Sequence, residues 1–173
     1  MVVAASVLLL TQAKLDQTPA AKFTNVELAG WQVYVSPKAM ASGERASKAL
    51  KLLQTKLEEI DEILPDFAVE HLQTVKIWVY HDQPGAAVYH PSKQWLINNG
   101  HIPEKERSVE ITNTKNFVDW TAINQPYMVL HEMAHAWHHQ KFGFDDPYIK
   151  SVYELAKLTK KYEEVDKLPN GKQ

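Results

Sequence analysis

His131, Glu132 and His135 fall in the run Tyr127-Met128-Val129-Leu130-His131-Glu132-Met133-Ala134-His135-Ala136-Trp137. On a helix, residues four apart lie one above the other on the same face, so both imidazoles can converge on one cation. Glu132 projects about 100° round the axis from His131. It therefore flanks the metal and suits a base that takes a proton from an activated water. The expected ligands are His131 and His135, the expected base is Glu132, and the expected cofactor is Zn2+. The chain has no Cys, which removes thiolate sites and leaves His and carboxylates as the strong ligands.

His138 points nearly the way of His131 but lies about 10 Å further along the axis, too far to share an ion with both upstream histidines. His139 is four residues after His135, but no Glu follows His135 to serve that pair. Both read as surface or supporting residues, and His71, His81, His90 and His101 read as lone surface histidines. A catalytic zinc also needs a third protein ligand and an open position for water. Tyr89, Tyr127 and Tyr153 could each give a phenol to a tetrahedral oxyanion, and the sequence does not choose among them.

The motif requires a helix from 124 or 125 to 142, with Pro126 near its start and Gly143 as its stop. Leu130, Ala134 and Trp137 form an apolar side, extended by Val129, Met133 and Ala136. A further helix begins at Asp145-Asp146-Pro147 and carries Ile149, Val152, Tyr153 and Ala156. Upstream, 31–35 alternates as a strand, and 42–64 repeats Ala46, Ala49, Leu50, Leu53, Leu57, Ile60 and Leu64 at helical spacing before Pro65. Residues 74–80 read as a central strand and 86–107 as a mostly irregular excursion with one helical turn. Residues 108–113 alternate as a short strand just before the motif helix, and in zinc peptidases such a strand often forms the edge on which an extended peptide lies. The expected fold class is α+β: a small mixed sheet with an edge strand beside the motif helix, plus covering helices.

The 173 residues are 45% hydrophobic and 10% aromatic, enough for one domain with a real core. Nineteen basic against twenty-one acidic residues give a formal charge of −2 without a basic stripe, which argues against nucleic acid as a partner. Residues 1–13 contain the apolar run 2–10 followed by Thr11-Gln12-Ala13. This resembles a signal peptide without a positive leading region, is too short to span a bilayer, and points to a secreted, periplasmic or envelope location. Residues 14–28, with Pro19, read as a linker into a domain at 29–173.

Residues 128–143 with Phe144-Asp145-Asp146-Pro147 resemble a group of secreted bacterial zinc metallopeptidases, gluzincin-like and distantly similar to the catalytic domain of anthrax lethal factor. Tyr89-His90-Pro91-Ser92, Trp95-Leu96 and Val109-Glu110-Ile111 extend the likeness over most of 30–160. It implies a zincin-like fold, His131 and His135 as zinc ligands, Glu132 as base and a peptide or protein as substrate. Glu154, with 18 residues between it and His135, resembles the third ligand of the gluzincin pattern. Such families usually take that ligand from a downstream Tyr-Phe-Ala-Glu segment, and none occurs before Gln173. Asn170-Gly171 is a hairpin signal with no return strand, so the chain reads as cut short. The expected function is zinc-dependent peptide hydrolysis. The alternative is a catalytically silent zincin-fold binding or envelope-associated module with an incomplete zinc site, and a non-peptide hydrolase is a third option.

Overall fold

A computed structural model describes residues 15–160. Both the signal-like segment 1–13 and the Asn170-Gly171 signal lie outside them. The fold is α+β, with one five-stranded mixed sheet in the order β1-β2-β3-β5-β4 and seven α-helices among the described residues. The strands are β1 (Thr24–Leu28), β2 (Trp31–Val35), β3 (Ile77–Val79), β4 (Asp82–His90) and β5 (Ser108–Asn113). The helices are α1 (Pro37–Met40), α2 (Glu44–Ile63), α3 (Asp66–Leu72), α4 (Lys93–Asn98), α5 (Thr114–Ile123), α6 (Met128–Lys141) and α7 (Pro147–Leu158). Among the described residues no helix is long and apolar enough to cross a membrane.

The stretch expected to be a linker, 14–28, contributes the edge strand β1. Ala29 and Gly30 both take positive φ (49° and 87°), which makes the two-residue reversal that pairs β1 antiparallel with β2, Leu28 opposite Trp31. The φ of Gly30 is what calls for glycine, since an added Cβ would meet only the Gln73 amide, at 2.4 Å from Nε2, and that flexible side chain could turn aside. β2, β3 and β5 then run parallel, and β4 returns antiparallel to β5.

Period-2 alternation gives the sheet two different faces. Val33, Val35, Ile77, Val79, Val109 and Ile111 form the inner face and are fully buried. Against them pack Leu53, Leu57 and Ile60 of α2, Phe117 of α5, and Val129, Met133 and Ala136 of α6. On the opposite face Trp78 stacks on Tyr34 at 4.7 Å between ring centroids, and Phe23 meets it edge-on at 5.0 Å.

The strand expected at the edge is not the one found there. β5 is paired on both sides, by β3 and β4, and β4 forms the outer edge. Likewise, the excursion expected from 86 to 107 begins with the last five residues of β4 and continues through α4 and a 3₁₀ turn at Pro103–Lys105. The β4 ladder is irregular between Asp82 and Ala87, across Pro84-Gly85, which breaks the alternation that would have marked the strand.

α5 was not expected. Asn113 caps it, its Oδ1 accepting from Lys115 N at 3.0 Å, Asn116 N at 3.1 Å and Arg45 Nη2 at 3.1 Å. Asn113→Ala should lower stability by about 1–2 kcal/mol, read as a fall of roughly 4 °C in the melting midpoint. An unchanged midpoint would show that the cap contributes nothing.

Candidate active site

α6 places the motif. Val129, Met133 and Ala136 fix its buried face, Leu130 and Trp137 are half-buried, and Ala134, expected on the apolar side, is exposed. Gly143, at φ 76°, ends the helix by donating its N–H to the carbonyls of His138 and His139. The opposite, open face carries His131 and His135, whose Nε2 atoms lie 3.0 Å apart. Two zinc-bound nitrogens at about 2 Å from a tetrahedral ion sit roughly 3.3 Å from each other, so the pair fits the donor geometry of zinc.

Glu132 is held by the sheet. Its Oε2 accepts the backbone N–H of Tyr89 at 2.7 Å. Since β5 occupies one side of β4, this N–H faces the free side of the strand. The carboxylate is thereby pinned between α6 and the edge strand, beside His131. Gly85, Ala86 and Ala87 of β4, Trp120 of α5, Tyr127 and Met128 line a cleft of about 580 Å³ that opens onto His131 and Glu132. Most of its wall is apolar, with Asn124 and Gln125 as polar points.

The three tyrosines separate. The phenol of Tyr89 is buried, lies 2.9 Å from His139 Nδ1 and accepts from Gln140 Nε2. Burial pushes its pKa up against the opposing hydrogen bond from Gln140 and charge of Arg107. Tyr153 lies on exposed α7 with Lys157 over its ring at 5.1 Å. Tyr127 alone of the three lines the cleft with His131 and Glu132.

Glu154 is exposed and pairs with Lys157 at 3.1 Å, and no described His, Asp or Glu joins His131 and His135 to make a set of three ligands. His138 and His139 stand apart from the pair, both against Phe144, with His139 stacked on it at 4.8 Å. His139 has its pKa lowered by burial and by Arg107.

His71 and His81 are half-buried, and burial lowers both pKa values. The expectation of a surface position fails most clearly for His90, which is 3% exposed. Together with His101 and Glu110 it forms the one group of three metal-type ligands among the described residues. Glu110 alternates with Val109 and Ile111 along β5 and so lies on the face opposite theirs, which is the one signal in the sequence for its place.

Comparison with protein-family models, with characterised proteins and with solved structures finds no match for this chain.

Proposed function

We propose that the protein is a zinc-dependent peptidase whose substrate lies in the cleft between β4 and α6. The observation that carries this reading is the convergence of His131 and His135 next to a Glu132 that is tethered to the free edge of the sheet. His131 and His135 would hold the ion, leaving its other positions to water, substrate or a donor outside residues 15–160. When bound, zinc supplies Lewis acidity toward the scissile carbonyl and the attacking water. Glu132 takes the proton of that water and later delivers it to the leaving amine, and the Tyr89 amide keeps the carboxylate in place between the two transfers.

The extended substrate pairs with β4 rather than β5. Alternation turns the N–H and C=O of Ala87 to the same side as those of Tyr89, away from β5. A peptide docked there has its backbone along Ala87 and one side chain in the apolar cleft, against Trp120 and Met128.

Chelation should abolish hydrolysis of an unstructured peptide and added Zn2+ should restore it, while His131→Ala should lose both metal and activity. Zinc uptake undiminished in His131→Ala would sink the assignment. Trp120→Ala should reduce kcat/KM by about tenfold for peptides with a large apolar residue at the cleft and leave those with a small one unchanged. Equal losses for both would remove the cleft from substrate selection.

The exposed position of Glu154 favours a second reading, a catalytically silent binding module. Metal content after dialysis separates the two: a competent site keeps about one zinc per chain and a bare histidine pair loses it.

A further inference from the structure

Tyr89 and His90 are neighbours on β4 and so project to opposite faces of the sheet. Tyr89 faces α6, whereas His90 faces a polar cluster on the far side. There His90 Nε2 and Glu110 Oε2 lie 2.5 Å apart. Lys105 Nζ donates to the same Oε2 at 2.7 Å and lies 2.9 Å from His101 Nδ1. The ring of Tyr80 lies under the ammonium, 4.8 Å from its centroid, and Trp95 stacks over both imidazoles, at 6.1 Å from His90 and 5.5 Å from His101. His90, Lys105 and Glu110 are all at most 3% exposed.

Two imidazoles and a carboxylate brought together, with His90 and Glu110 buried and His101 half-buried, make a zinc-type donor set. An ammonium has three donors and no acceptor, so the His101 Nδ1 that faces Lys105 must present its lone pair inward, as it would to a metal. The buried carboxylate needs a positive partner, and Lys105 supplies it. One atom of each of His90, His101 and Glu110 lies within 4.8 Å of the others. Ligands on a tetrahedral zinc sit about 3.3 Å apart, so a closure of roughly 1.5 Å, within reach of side-chain rotation, would complete a metal geometry.

We propose that His90, His101 and Glu110 form a second cation centre, in which the Lys105 ammonium is the resident cation and which takes a borderline divalent ion, Zn2+ or Co2+, once that ammonium is removed. With Lys105 in place, charge and volume both exclude the metal, so metal uptake by the native chain does not report on this cluster. The centre does not depend on the peptidase reading.

The test uses the full chain carrying His131→Ala and His135→Ala, with Co2+ as the probe. This parent should keep no cobalt after desalting. Adding Lys105→Ala should give one Co2+ per chain, bound about 100-fold more tightly than by the parent, with the visible bands of histidine-ligated tetrahedral cobalt. Its melting temperature should rise with Co2+ while that of the parent stays fixed, and a further Glu110→Gln should remove the gain. If Lys105→Ala fails to fold without metal, refolding with Co2+ present should recover it. A Lys105→Ala chain that folds without taking up cobalt, or that stays unfolded with cobalt present, overturns the proposal. So does a parent that binds one Co2+ with Lys105 intact.

Discussion

Glu132→Gln should lower peptide hydrolysis by about 10²–10⁴-fold and leave zinc content and melting temperature unchanged. The two parts of the prediction have different causes. A glutamine carbonyl can still accept the Tyr89 N–H that Glu132 Oε2 accepts at 2.7 Å, so the tie between α6 and β4 survives. What the amide cannot do at neutral pH is take a proton from water and return it to the amine. Kinetics on a single peptide, beside metal analysis of the same sample, read both parts. Undiminished activity would remove Glu132 as the base, and joint loss of zinc and activity would show that it supports the metal instead.

Glu110→Leu should destabilise the fold by about 3–5 kcal/mol, because it leaves the Lys105 ammonium buried with no counter-charge. For a chain of this size that is a fall of roughly 10 °C or more in the melting midpoint. Lys105→Met with Glu110→Leu should recover most of the loss, since an apolar pair needs no compensation. A single variant within about 1 kcal/mol of the native chain would show that the ammonium finds water or another partner.

The same carboxylate gives a pH signature. Burial alone would raise its pKa, but the hydrogen bond from His90 and the charge of Lys105 outweigh burial and hold it below its ordinary value of 4.5. A group depressed in the folded state contributes its stability in full above its unfolded pKa. That contribution is lost as pH falls below 4.5 and through the lower folded value, so Glu110→Gln should flatten the acid limb of the stability curve. An equally steep acid limb in that variant would assign the acid transition to other groups.

The elements legible in the sequence are those whose signals are local. The repeat from Ala46 to Ile60 identifies α2, Gly143 the end of α6, and Asp146 the cap of α7, its side chain accepting from Ile149 N at 2.9 Å. The histidine pair belongs with them, because one turn of helix is enough to bring His131 onto His135. What escaped depends on contacts distant in sequence. β5 alternates like an edge strand, yet β4 lies outside it, hidden by the irregularity at Pro84-Gly85. Glu110 alternates like a solvent-facing residue, yet the excursion from α4 to Lys105 folds over it and turns it into a buried anion. Glu154 has a ligand's spacing, but spacing carries no information on whether α7 packs its face toward the histidines. The choice of Tyr127 among three tyrosines needed the cleft, which α5, α6 and β4 build together.

The bond from the Tyr89 amide to Glu132 bears on more than proton transfer. An outer strand with free amides is a template on which other chains can stack, and proteins protect such edges with charge or irregularity. Here both devices bracket a short accessible stretch: the disrupted ladder at Pro84-Gly85 at one end and the carboxylate on Tyr89 at the other. An incoming chain can therefore dock along only a few residues and cannot extend past Glu132. The side chain proposed to do the chemistry also serves as an end-stop, limiting how far a bound strand can zip and denying the edge to fibril-like growth.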